Sequence, residues 1–295
     1  MNTVTRALST PPALIYISRT RYTYLGRTQL PIRHFHSGAA SLVTCLDGHI
    51  RFQTAQDARW ISARSMLIPA GARLSIDNQG AVISSCYLDA AKPEFLLLRK
   101  QMQARHGGVC YQHAAEHELI DRLLQLREDA PDLDEAQRRV EALIYPGGAA
   151  PQLHIDPRVR HVVERIRDTA AQNISVKTLA EEVGLSESGL IRLFGQQVGA
   201  PLRKHRLWYR LIDFVTLTLS GVPSAIALKT AGFTDTAHMS RCYSGFFGVN
   251  FSYAFSKNTP VHYIFEQSPL GAAYLSRVNR EARLTSAASP LSATG

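Results

Sequence analysis

One helical pattern occurs twice in the second half of this chain. Residues 174–199 read ISVKTLAEEVGLSESGLIRLFGQQVG, and about fifty residues later the chain reads AIALKTAGFTDTAHMSRCYSGFFGV. In the first copy Ser175 can cap a short helix whose Leu179 and Val183 face inward, and Ala180 stands four residues before Gly184. A small residue there lets two helices approach closely, and glycine permits the positive φ of a tight turn. Ser186 then caps a second helix with Leu190, Leu193 and Phe194 on its buried face. In the second copy Gly232-Phe233 matches Gly184-Leu185, while Met239, Arg241, Tyr243 and Gly248 match Leu190, Arg192, Phe194 and Gly199. A long helix, PLRKHRLWYRLIDFVTLTLSG, joins the copies. A single helix-turn-helix match is a weak signal, and two copies on one helix are a strong one. The second copy departs from the first at Leu228, where a small residue is expected, and at Ser244-Gly245. Glycine inside a helix costs about 1 kcal/mol against alanine, so the second unit is expected to be distorted.

The outer face of the first unit's second helix carries Ser188, Ile191 and Arg192. A helix packed in this way presents its N-terminal outer residues to a major groove. At this point the chain resembles the AraC/XylS family of bacterial transcription regulators, over about residues 155–257. The resemblance rests on LAEEVGLSESGLIRLF, on RLWYRL, and on GFTDTAHMSRCY followed by FFGV. It implies that both units read adjacent major-groove segments of double-stranded DNA. It further implies contacts from Ser188, Ile191 and Arg192 in one unit and from Thr236, Ala237, Ser240 and Arg241 in the other. Arginine can bind guanine O6 and N7 together, whereas Ser188, Thr236 and Ser240 suit phosphate or water. Lys204, Arg203 and Arg206 either bind the DNA backbone or are solvated helix charges. Trp208 is expected to fill core between the units, and His238 to be structural or groove-facing. The family usually carries basic residues after the position of Tyr243, so the second unit is expected to grip phosphate less well.

The first half reads as strands from about residue 14 to 100: SLVTCL before Asp47-Gly48, IRFQTA, SMLIPA before Gly71, and AVISSCYL after Gly80. Short strands between turn signals predict an antiparallel sandwich or barrel. The segment also resembles a metal-binding cupin whose ligands are incomplete. His34 and His36 stand at two ligand positions, but Ser41 and Leu74 replace the carboxylate and the third histidine, while Gly48, Pro69, Gly71 and Asn78 keep the turns. Leucine in a ligand sphere argues against a metal, so neither metal nor cofactor is expected. In the regulator family such barrels often bind a small effector. His34, His36, Ser41 and Leu74 would then line a pocket, or else fill core or rim. Arg33, Arg51 and Arg73 are candidates for an anionic ligand that nothing distinguishes from solvated arginines. HELIDRLLQLRE and DEAQRRVEALI, separated by Pro131, predict a helical hairpin. Its apolar stripes suit either a homodimer or the barrel wall.

The fold expected is therefore α+β and multidomain: a cupin-like barrel (1–112), the hairpin and a YPGGAAPQ linker (113–150), an all-α unit with two helix-turn-helix motifs (151–267), and a mobile Ser/Ala/Pro-rich tail (268–295). The net charge of +9 suits a polyanionic partner. It is spread, with +5 in residues 1–130 and +4 in 151–267, so it does not single out a surface. Cys45, Cys86, Cys110 and Cys242 form no CxxC pair, which predicts reduced thiols rather than zinc or disulfides. MNTVTRALST carries no apolar leader and no run is long enough to span a bilayer, predicting a cytoplasmic protein. The function expected is sequence-specific regulation of transcription under a small-molecule effector, with RNA polymerase as a partner if it activates. The alternatives are a non-specific architectural DNA binder and a cupin enzyme with a helical appendage.

Overall fold

The computed structural model describes residues 11–27, 38–146, 154–256 and 260–267, the backbone of 32–36, and scattered positions in 270–276. The expected tail thus falls almost wholly outside the described residues.

The first half is mainly strand: β1 (Ala13–Ile17), β2 (Tyr22–Arg27), β3 (Ile32–His36), β4 (Ser41–Cys45), β5 (Ile50–Thr54), β6 (Asp57–Ala63), β7 (Ser65–Ile68), β8 (Arg73–Asp77) and β9 (Val82–Tyr87). A helix, α1 (Glu94–Gln101), and a hairpin of β10 (Met102–His106) and β11 (Val109–His113) follow. Then come α2 (Glu116–Asp129) and α3 (Leu133–Ile144). The second half carries α4 (Pro157–Asp168), α5 (Val176–Glu182), α6 (Glu187–Val198), α7 (Leu202–Leu219), α8 (Ser224–Thr230), α9 (Thr236–Phe247), α10 (Phe251–Ala254) and a last strand, β12 (Val261–Phe265).

Two sheets form, in the orders β10-β11-β7-β4-β9-β2-β1-β12 and β3-β8-β5-β6. The smaller sheet alternates. Ile50, Phe52 and Thr54 on β5, and Leu74 and Ile76 on β8, are buried, while the alternate positions Arg51 and Arg73 are exposed and Gln53 and Ser75 half-buried. That is the period-2 pattern of a sheet with one wet face. Its apolar face packs with Val43, Met66, Ile68 and Ile83 of the larger sheet, so a core fills the space between the sheets.

The larger sheet is covered on its other face as well. Leu119, Ile120, Leu123 and Leu126 of α2 and Ala136, Val140 and Ile144 of α3 pack with Leu14, Tyr16, Leu25, Leu42 and Leu67. The hairpin stripes thus pack on the larger sheet, and Leu124 is the large apolar side chain that α2 leaves exposed.

The all-α expectation for 151–267 needs correction at its end. Val261–Phe265 is a strand that pairs in parallel with β1, in register from Ala13↔Val261 to Ile17↔Phe265. Val, Tyr, Ile and Phe favour a pleated surface, and a five-residue run carries too little periodicity to separate strand from helix. Likewise α1 interrupts the expected run of strands. Alternate residues of β1 serve different cores: Leu14 and Tyr16 face the hairpin cluster, while Ile15 and Ile17 join the helices of the second half.

The two halves meet through aromatic rings. Trp208 on α7 stacks on Tyr87 at 4.8 Å, and Tyr22 lies 5.0 Å from Phe247 of α9. Trp208 therefore packs against the β sheet rather than only between the two helical units. The Tyr87 hydroxyl also donates to the Phe246 carbonyl at 3.3 Å. Such ring pairs add about 0.5–1.5 kcal/mol each beyond burial.

Candidate nucleic-acid interface

The pairs α5–α6 and α8–α9 have the same local construction. Gly184 and Gly232 turn the chain with φ of +66° and +83°. The Leu185 amide donates to the Ala180 carbonyl at 2.9 Å, and the Phe233 amide to the Leu228 carbonyl at 3.0 Å. The distortion expected from Leu228 is absent, because its side chain packs partly buried against the common core. Ser175 caps α5 through a 3.0 Å bond from the Thr178 amide. Ser186 caps α6 by accepting from the Gly189 amide at 3.1 Å, and Asp235 caps α9 by accepting from His238 at 2.7 Å. Both twelve-residue helices end on left-handed glycines, Gly199 and Gly248.

Equivalent positions then face equivalent ways. Leu190, Phe194 and Val198 of α6 are buried, as are Met239, Tyr243 and Phe247 of α9. Ser188, Ile191 and Arg192 are exposed, and so are Thr236, Ala237 and Arg241, with Ser240 half-buried. Ile191 is 54% exposed, a large apolar side chain on an otherwise polar face. Neither Arg192 nor Arg241 has an ion-pair partner among the described residues. The structure thus brings all seven predicted contact residues to the N-terminal outer faces of two like helices. The C-terminal end of α9 is held against the β domain, where the Phe246 ring lies against Gly38.

The linker residues divide. Arg206 is half-buried and donates to the Ile174 carbonyl at 2.6 Å, tying α7 to the segment before α5. That nitrogen is committed to the fold and not to a phosphate. Lys204 is half-buried and its pKa is lowered by desolvation and by nearby Arg73. Arg203 remains exposed. His238 is half-buried with its ring 5.6 Å from that of Phe233, a structural position.

Sequence reasoning missed Arg210. Its Nε donates to the Ala170 carbonyl at 2.7 Å, Nη1 to the Gly232 carbonyl at 2.9 Å, and Nη2 to Asn173 Oδ1 at 2.7 Å. One buried guanidinium therefore joins the end of α4, the approach to α5 and the turn of the second pair. Its place among Trp208, Leu211 and Phe214 on α7 was the available signal.

His205, also on α7, is 1% exposed. Burial, with Arg167 nearby, pushes its pKa down to about 3, so the ring is neutral at pH 7. In the unfolded chain histidine titrates near 6.5, so this group's contribution is complete above that value and is lost as pH falls toward 3. His205→Phe is expected to remove this sensitivity. Between pH 7 and 5 the wild type should lose about 2 kcal/mol more unfolding free energy than the variant, read from urea titrations at each pH.

Of the predicted pocket residues, Leu74 lies in the core between the sheets beside Phe52, Ile68 and Ile76. Ser41 is fully buried, and its hydroxyl has no hydrogen-bond partner among the described residues. The β3 backbone is placed, with Phe35 opposite Leu74 and His36 opposite Arg73. The side chains of His34, His36 and Arg33 lie outside the described residues. Arg51 pairs with Asp77 at 2.5 Å and lies over the Trp60 ring. Among the described residues no group of three His, Cys, Asp or Glu side chains could hold a metal. The four cysteines are free thiols. No helix among the described residues is long and apolar enough to cross a membrane.

No family model matches this chain, and no curated protein does. Its fold is similar to that of ToxT from Vibrio cholerae. Apo ToxT K231A from strain SCE256 superposes with a TM-score of 0.52 at 8% identity, covering 79% of this chain and 96% of that one. A second ToxT crystal form gives 0.51 at 11% identity, over 79% and 97%. ToxT bound to (E)-4-(8-methylnaphthalen-1-yl)but-3-enoic acid gives 0.50 at 10% identity, also over 79% and 97%. At these identities the likeness is one of fold.

Proposed function

We propose that this chain is a sequence-specific DNA-binding transcription regulator of AraC/XylS type. Its β domain, cupin-like in the reading of residues 1–112, would take a small-molecule effector, and 151–267 would engage DNA through two helix-turn-helix units. The observation that carries the reading is the paired presentation of Arg192 and Arg241 at equivalent exposed positions of α6 and α9. A polar face that also exposes Ile191 suits a base edge and a thymine methyl. Control by a small molecule draws support from the like-folded ToxT that binds a naphthalenyl butenoic acid. The effector would act by linkage, shifting the population competent to bind DNA. No catalytic role is assigned.

The test is selection of bound fragments from sheared genomic DNA at near-physiological salt. A motif with two blocks about one helical turn apart is expected. Arg192→Ala should relax one block and Arg241→Ala the other, each by about 1–3 kcal/mol of discrimination. Binding that falls steeply with salt and enriches no motif would instead identify an architectural DNA binder.

A further inference from the structure

The turn before β8 is seated on the junction of α6 and α7. A Cβ on Gly71 would stand 2.8 Å from the Gly199 carbonyl oxygen, so the two backbones pass there without a side chain between them. Arg73, two residues on, opens β8 and is exposed. It pairs across the sheet with His36 of β3, the strand that packs on α9. The β domain thus sets an arginine beside both helix pairs.

Cations from three elements converge at this point. Burial lowers the Lys204 pKa in the first turn of α7, and the charge of Arg73 lowers it further. Burial raises the thiol pKa of Cys242 on α9, and the charges of Arg241, Arg203, Arg210 and Lys204 oppose that rise. Arg73, Arg203, Lys204 and Arg241 therefore form one cluster across β8, α7 and α9. Carboxylates are missing from its surroundings. Segments 66–76, 194–212 and 236–255, which meet here, contain no Asp or Glu. Asp235, which feels the charge of Arg241, is engaged in capping α9. Arg73, Arg203 and Arg241 have no hydrogen bond or ion pair among the described residues.

Like charges held together by a fold repel one another, and a polyanion relieves that repulsion. A run of phosphates along a DNA strand suits cations spread over three elements better than a single small ion does. The cluster is also continuous with Arg241 on the outer face of α9. We propose that Arg73 binds a backbone phosphate of the same DNA that α6 and α9 read, beside Arg203, so that the β domain is itself part of the nucleic-acid interface. The proposal rests on the regulator reading for where the duplex lies. The contact carries charge and no base information. A shift of the β domain against Gly199 would move Arg73 relative to the strand, and so change affinity without altering either reading helix.

The experiment measures affinity of the full chain at about 0.05 to 0.3 M salt, on a duplex recovered by fragment selection and on one of scrambled sequence. Arg73→Gln should bind both duplexes about five- to tenfold more weakly at about 0.1 M salt. The slope of log affinity against log salt should fall by about 0.9, with sequence preference unchanged. Arg73→Lys should keep most of the slope, because a lysine serves a phosphate as a point charge. Arg203→Gln, the neighbouring cation of α7, should repeat the fall. Arg138→Gln removes the same charge from the exposed side of α3, on the far face of the larger sheet, and should weaken binding less than twofold. An unchanged salt slope in Arg73→Gln would overturn the contact. So would a loss no greater than that of Arg138→Gln, or an Arg73→Lys variant as weak as Arg73→Gln. A selected motif with no Arg73 effect would sink this contact alone. An Arg73 effect on bound DNA with no motif selected would sink sequence-specific regulation alone, and a chain that binds no duplex would sink both.

Discussion

Arg210→Leu is expected to cost about 3–5 kcal/mol of stability and, on the proposed regulator reading, to abolish selective DNA binding even in protein that remains folded. The wild-type side chain is 8% exposed and supplies three short hydrogen bonds. Leucine keeps much of its volume but leaves the carbonyls of Ala170 and Gly232 and the amide oxygen of Asn173 without that donor. An unsatisfied buried acceptor costs about 1–3 kcal/mol. The consequence for DNA follows from where the acceptors lie. Ala170 and Asn173 belong to the segment leading into α5, and Gly232 is the turn between α8 and α9. The guanidinium thus sets one helix pair against the other, and two-block reading needs that spacing held. Arg210→Lys keeps a positive charge but can reach fewer of the three acceptors at once, so it should fall between leucine and wild type. Urea titration reports the stability loss, and fragment selection at a temperature where the variant is folded reports the binding. A leucine variant with wild-type stability, or one still selecting both blocks, would refute the brace.

The contrast between Arg192 and Arg210 shows what could be read in the sequence. Arg192 was legible because its surroundings are local: a capping Ser186, a turn glycine, and buried Leu190 and Phe194 fix which face it occupies. The same holds for Arg241, through its correspondence with Arg192 in the repeat. Arg210 is a charge on the apolar stripe of α7, and its three partners lie 22 to 40 residues away. The local pattern marks it as a charge on a buried stripe, but names none of the acceptors that satisfy it. Leu228 illustrates the opposite error. It breaks a spacing rule, yet the turn forms with the same hydrogen bond, because the common core takes the larger side chain. In the β domain, turns at Gly71 and Gly80 were legible from glycine's access to positive φ, and both adopt it. The pairing of β12 with β1 joins residues some 250 positions apart, and sheet partners at that distance leave no local signature. His205 was invisible for a similar reason, since its burial depends on Phe194 of α6 as well as on its own helix.

Glu94→Ala is expected to destabilise the β domain by about 3–5 kcal/mol, because it leaves the Arg21 charge buried and unpaired. Glu94 is fully buried and Arg21 is 7% exposed. The pair is bidentate, with Arg21 Nη2 donating to Oε1 at 2.6 Å and Nη1 to Oε2 at 3.2 Å. Oε2 also accepts from the Asp89 amide at 2.9 Å. Burial works against the guanidinium's charge, but the neighbouring Cys86 sulfur and the Glu94 carboxylate outweigh it and hold its pKa above the ordinary range. Replacing both members at once should cost less than losing Glu94 alone, since apolar side chains of similar size, as in Arg21→Met with Glu94→Leu, remove both charges. The double variant still loses the bond to the Asp89 amide, so some penalty should remain. Glu94 is the first residue of α1, so the pair also fixes where that helix starts. Urea titrations of wild type, both single variants and the double variant give the coupling energy directly. A coupling near zero would mean that Arg21 finds water or another acceptor when Glu94 is removed, and that α1 is held by Leu98 and its apolar neighbours alone.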